Sequence, residues 1–97
     1  MVPTINVGIQ VLPFSKEKDT YGLVDKAIEA IDASGVKYEV DALETVMEGE
    51  LDDLLEVVKK AVYACVDAGA EEVAANVKIH YRPTGTSIEE KVGKYRK

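Results

Sequence analysis

The sequence predicts an α+β sandwich: a four-stranded antiparallel sheet, two helices on one of its faces, and a short helix at the C-terminal end. Two observations predict it. Apolar residues alternate with period two in four short runs, and they recur with the helical period in two longer ones. The runs follow one another as strand, helix, strand, then strand, helix, strand. That β-α-β-β-α-β order is the split βαβ signature of a ferredoxin-like domain, for which the strand order is 4-1-3-2.

The first strand is expected over Ile5–Val11. Ile5, Val7, Ile9 and Val11 point one way, toward the helices, and Asn6, Gly8, Gln10 and Leu12 the other. Pro13 is expected to end it. Asp19 or Thr20 caps a helix over Tyr21–Ile31, whose stripe is Tyr21, Val24, Ala27, Ile28 and Ile31. Gly35 stops that helix. A strand over Val36–Val40 turns inward Val36, Tyr38 and Val40, and a strand over Thr45–Glu48 turns Thr45 and Met47 to the same side. The second helix, Leu51–Val66, carries Leu51, Leu54, Leu55, Val58, Ala61, Val62, Cys65 and Val66 at i, i+3, i+4, i+7 spacing. Glu50, Asp52 and Asp53 suit its positive end, and Gly69 closes it. The last strand, Val73–Tyr81, sends Val73, Ala75, Val77, Ile79 and Tyr81 inward. After the turn Arg82–Gly85, Thr86-Ser87-Ile88-Glu89 reads as a capping box for a helix over Ser87–Tyr95, with Ile88, Val92 and Tyr95 packing.

Composition narrows the function. The 97 residues fit one domain, 1–97, with 46% hydrophobic and 31% charged residues. The net charge of −6 repels phosphate backbones and argues against nucleic-acid binding. The one concentration of basic residues, Lys91–Lys97, complements the negative end of its own helix. No apolar run approaches the ~20 residues needed to span a bilayer, no signal peptide is visible after Met1, and the lone Cys65 has no internal disulfide partner. A cytoplasmic protein is expected, with no membrane insertion. Neither zinc-ligand spacing nor a calcium loop is present, so no metal or other cofactor is expected. Gly-rich phosphate loops and a nucleophile elbow are missing too.

The sheet face away from the helices would carry Asn6, Gly8, Gln10, Val46, Glu48, Asn76, Lys78 and His80. This is a small, mixed surface rather than a Lys/Glu coat. A second subunit is expected to cover it around a polar pocket.

Thr45-Val46-Met47-Glu48-Gly49-Glu50, preceded by Ser34-Gly35-Val36-Lys37-Tyr38-Glu39-Val40, resembles the thiamine-binding protein family. Ile9-Gln10-Val11-Leu12-Pro13, Val77-Lys78-Ile79 and Ile88-Glu89-Glu90-Lys91-Val92 extend the likeness over almost the whole chain. The resemblance implies a ferredoxin-like fold, a homo-oligomer (dimer or tetramer) built by sheet association, and binding of thiamine or its hydroxymethylpyrimidine moiety. It implies no demonstrated enzyme.

The ligand's chemistry selects candidates. Glu48 can balance the thiazolium or accept from the aminopyrimidine. Gln10, Asn6 and Asn76 offer donor and acceptor together, and Thr45 offers a hydroxyl. Each has a plainer reading: Glu48 as an acid near a helix start, Thr45 as a strand former, and the amides as interface groups. His80 and Lys78 read as surface or interface residues, and Cys65 as a buried inert thiol. Arg82 with Gly85-Thr86-Ser87 could hold an anion, though the capping box accounts for Thr86 alone. The expected function is non-catalytic binding as carrier, buffer or sensor. A regulatory or structural interaction domain and a small enzyme on the same fold are the alternatives.

Overall fold

The computed structural model describes residues 2–96. Met1, and Lys97 of the basic tail, lie outside the described residues. The elements run β1 (Ile5–Phe14), α1 (Thr20–Ala33), β2 (Lys37–Val40), β3 (Thr45–Gly49), α2 (Leu51–Asp67), β4 (Glu72–His80) and α3 (Ile88–Val92). A 3-10 turn, Gly93–Tyr95, follows α3. The sheet has the order β2-β3-β1-β4 with antiparallel neighbours throughout, which is the ferredoxin-like arrangement expected.

β1 is the central constraint. Its odd-numbered residues Ile5, Val7 and Ile9 are buried against Leu23, Ala27 and Ile31 of α1 and Leu54, Val57, Ala61 and Cys65 of α2. Met47 completes this core from β3. Burying apolar side chains of this size stabilises by about 1.5–3 kcal/mol each.

Both helices end on glycines with positive φ, Gly35 and Gly69. At Gly69 the Ala70 N–H donates to Cys65 O and the Gly69 N–H to Val66 O, the paired bonds of a Schellman closure. Asp19 caps α1 by accepting from the Gly22 N–H.

Several boundaries and faces differ from expectation. Pro13 does not end β1, which continues to Phe14 paired with Glu72. β3 pairs with β1 only as far as Ile9↔Thr45, so Pro13 lies where β1 has no neighbour on that side and its missing N–H breaks no ladder. The buried stripes are also rotated. Leu23 and Val57 are core, whereas Tyr21, Leu55 and Val66 are exposed. The capping box sits one residue later than Thr86–Glu89: Ser87 accepts from Glu90 N and Glu90 accepts from Ser87 N. α3 ends at Val92, and Tyr95 is exposed rather than packed.

The predicted consequence of the rotated stripe is direct. Leu54→Ala should lower the unfolding free energy by about 2–5 kcal/mol in urea denaturation, while Leu55→Ala, one residue on, should change it by less than about 1 kcal/mol.

Candidate functional site

The second sheet face is not left bare along its whole length. The chain returns over it after β4. The Thr86 hydroxyl donates to Asn6 Oδ1 at 3.0 Å, and Asn6 Nδ2 donates to Met47 O at 3.2 Å. Asn6 is thereby only 4% exposed. Glu48 Oε1 accepts from the Ile88 N–H at 2.6 Å, at the start of α3, and Glu48 Oε2 lies 3.6 Å from Lys37 Nζ. Arg82 forms a two-oxygen contact with Glu90 and donates to Gly85 O, fixing the turn that brings the segment back. The bond from Arg82 and the Ser87 N–H hold the Glu90 carboxyl below the usual carboxylate range, against a smaller opposing effect of burial.

The five predicted site residues therefore fall into three places. Asn6 and Glu48 sit beneath the C-terminal segment. Gln10 and Asn76 stand opposite one another on β1 and β4, with Asn76 Nδ2 donating to Gln10 Oε1 at 3.1 Å. Thr45 is on the helix side of the sheet, 6% exposed. The structure joins Gln10 to Asn76 and separates that pair from the other three.

A notch links two of these places. β3 begins at Thr45, opposite Ile9, while β1 runs on to Phe14. From Gln10 onward β1 has no strand beside it on that side. The turn Asp41–Glu44, closed by Asp41 N donating to Glu44 O, overhangs the gap. On the helix side the notch opens into a hollow of about 260 Å³ lined mainly by apolar residues of β1 and α1, among them Val11, Val24 and Ile28, with Gln10, Thr20, Asp41, Glu44 and Thr45 as polar residues. On the open side it meets a smaller hollow of about 170 Å³ lined by Gln10, Leu43, Glu44, Asn76 and Lys78. Gln10, Leu43 and Glu44 border both.

Glu44 was missed by pattern reading because it lies in a turn, outside any periodic run. Its signal is Gly8. A Cβ built on Gly8 would come within 2.5 Å of Glu44 Oε1, so the carboxylate lies flat on the sheet where β1 has no side chain. Its other oxygen is 3.3 Å from Lys78 Nζ. The helix-side hollow is thus mainly apolar, with Asp41 and Glu44 among its lining residues, while the Glu44 carboxylate itself lies over Gly8 beside Lys78 on the open side.

Other groups have plainer duties. The Tyr38 hydroxyl donates to Asp32, and that bond raises its pKa. Burial pushes the Cys65 thiol up, and its Sγ lies 3.5 Å from Leu23 O. Among the described residues no cluster of three or more His, Cys, Asp or Glu side chains is placed to hold a metal ion. Among the described residues no helix is long and apolar enough to cross a membrane.

The model of the family described as thiamine-binding protein matches residues 7–96. The chain belongs to this thiamine-binding protein family. A UPF0045 protein of Clostridium perfringens is 50% identical over 93 residues, covering 96% of this chain and 98% of the relative. Among solved structures, a Bacillus cereus domain of unknown function, DUF77, superposes with a TM-score of 0.95 at 59% identity, covering 98% of this chain and 92% of that one. A Thermotoga maritima protein, named as a candidate for thiamine biosynthesis or salvage, superposes with a TM-score of 0.88 at 35% identity, covering 97% and 100%. The family resemblance seen in the sequence is thereby established.

Two outcomes follow for the C-terminal segment. Glu48→Gln should lower stability by about 1–2 kcal/mol in urea denaturation, since the bond to the Ile88 N–H loses its charge, and the Ile88 amide should exchange faster. Arg82→Gln should move the Glu90 titration upward in an NMR pH series. Because the folded value lies below the unfolded one, this contact favours the folded chain at neutral pH and fades as pH falls through the folded value.

Proposed function

We propose that this member of the thiamine-binding protein family binds thiamine or its hydroxymethylpyrimidine moiety without converting it. It would act as carrier, buffer or sensor, residues 1–97 forming one binding domain of a cytoplasmic homo-oligomer. The observation that carries this reading is the notch beyond the end of β3. There an apolar slot, an unpaired stretch of strand edge and two carboxylates occur together. Family membership and the name carried by the Thermotoga relative support the same ligand class.

In this reading the aminopyrimidine lies in the apolar hollow against the Thr45 hydroxyl, where donors and acceptors of the ring meet the free edge of β1. Glu44 and Asp41 face the cationic thiazolium. Gln10 and Asn76 contact the part of the ligand that reaches the open side. Asn6 and Glu48 act indirectly, by holding the C-terminal segment.

Thiamine should raise the melting temperature in a concentration-dependent way. Thr45→Val and Gln10→Ala should each weaken calorimetric affinity by about tenfold, the loss of roughly one hydrogen bond. Glu44→Gln should weaken thiamine more than the neutral hydroxymethylpyrimidine. Neither heat nor a melting shift with either compound would refute the reading.

A further inference from the structure

Three carboxylates stand over the middle of the open sheet face, on β2, on β3 and in the turn between them, and two of them are committed to the C-terminal segment. Glu39 accepts from Arg96, while Glu48 accepts from the Ile88 N–H and meets Lys37. Glu44 is held differently. Its carboxylate rests on Gly8, whose missing side chain makes the space. Among the described residues its one charged partner is Lys78, directly opposite Gly8 on β4, at 3.3 Å.

The pair is lopsided. The Glu44 side chain is 27% exposed and that of Lys78 77%. The carboxylate is seated over the sheet, and its own main-chain oxygen closes the turn that carries it. The ammonium is a strongly hydrated charge on a flexible stem. Position matters as well. Gln10, Leu43 and Glu44 border both hollows, so a molecule that fills the apolar one and reaches the open side passes Glu44. Lys78 lines the open-side hollow, where that molecule would emerge.

We infer that Lys78 is a resident counter-ion, displaced from Glu44 by the positive charge of the ligand, and that this exchange sets how tightly a cationic ligand is held. The inference rests on the thiamine reading of the same site and adds Lys78 to it. A partly buried carboxylate without a counter-charge is unfavourable. With Lys78 present, Glu44 is balanced in both states, by the ammonium when the site is empty and by the thiazolium when it is filled. Displacement is easy because an exposed ion pair contributes little and the freed ammonium returns to water. A neutral ring has no charge to offer Glu44 and leaves the pair in place. The cation therefore gains a contact that a neutral ring of the same shape does not, diminished by the contact that Lys78 gives up. Such tempering suits a carrier or buffer, which has to release what it binds.

Calorimetry with thiamine and with its neutral thiophene analogue, in which carbon replaces the quaternary nitrogen, tests this. Lys78→Met should tighten thiamine about fivefold, the worth of an exposed ion pair, and leave the analogue unchanged. Lys59→Met, which alters the net charge equally from the exposed side of α2, should change neither. In a Glu44→Gln background the gain from Lys78→Met should vanish, since the coupling runs through that carboxylate. Thiamine affinity should also become more sensitive to salt in Lys78→Met, where an uncompensated charge meets the cation, than in the wild type, where one cation replaces another. Unchanged thiamine affinity in Lys78→Met, an equal gain for the neutral analogue, the same gain from Lys59→Met, or a gain that survives Glu44→Gln would overturn the inference and leave thiamine binding standing. Absence of binding by either compound to wild type and Lys78→Met alike would overturn both.

Discussion

The alternation of β1 sets both faces of the sheet at once. Its odd-numbered residues Ile5, Val7 and Ile9 fill the core beneath both helices. That burial leaves no freedom for the even-numbered ones, since a slip of one residue would exchange the faces. Asn6, Gly8 and Gln10 are therefore delivered to the open side in a fixed row, and each does something different there. Asn6 anchors the returning C-terminal segment. Gly8 leaves room for the Glu44 carboxylate. Gln10 meets Asn76. One packing requirement supplies an anchor, a cradle and a polar contact at successive steps along a single strand.

Unequal lengths shape the rest. β1 has ten residues and β3 five, and the difference opens the notch beside Gln10. Likewise α2 presents more apolar surface than the β1–β3 core can absorb, and β4 lies out of its full reach. The first mismatch yields a slot rimmed by acid, consistent with membership in the thiamine-binding protein family. The second yields an apolar border. Neither would exist had the helices and strands matched in extent, so the features with functional promise are those where the two-layer packing is incomplete.

Element order, strand order and the inward parity of all strands were legible in the sequence because period-two and helical repeats are local properties. Coverage is not local. Periodicity placed Val77 and Ile79 on the helix side but could not show that nothing lies above them. The displaced capping box has a similar cause: Thr86 and Ser87 both suit a cap, and only the bond from Thr86 to Asn6, eighty residues away in sequence, leaves the cap to Ser87. Glu48 stood out in the sequence as a candidate ligand contact, and in the structure it accepts from the backbone. Its partner, the Ile88 N–H forty residues on, belongs to no motif. Glu44 lay in a turn without any pattern, although the glycine that accommodates it was visible. Within the candidate site the Gln10 and Asn76 pairing could be read from strand register, while the separation of Thr45 from that pair followed from its parity.

The tie between the first strand and the last segment bears on how the molecule is made. As a chain leaves the ribosome, β1 emerges first, yet its outer neighbour β4 and the hydroxyl that satisfies Asn6 come from the final quarter. Long-range pairings of this kind form late and slowly. Until they do, the β4 margin of β1 stays unpaired and the Asn6 amide bonds to water in place of Thr86.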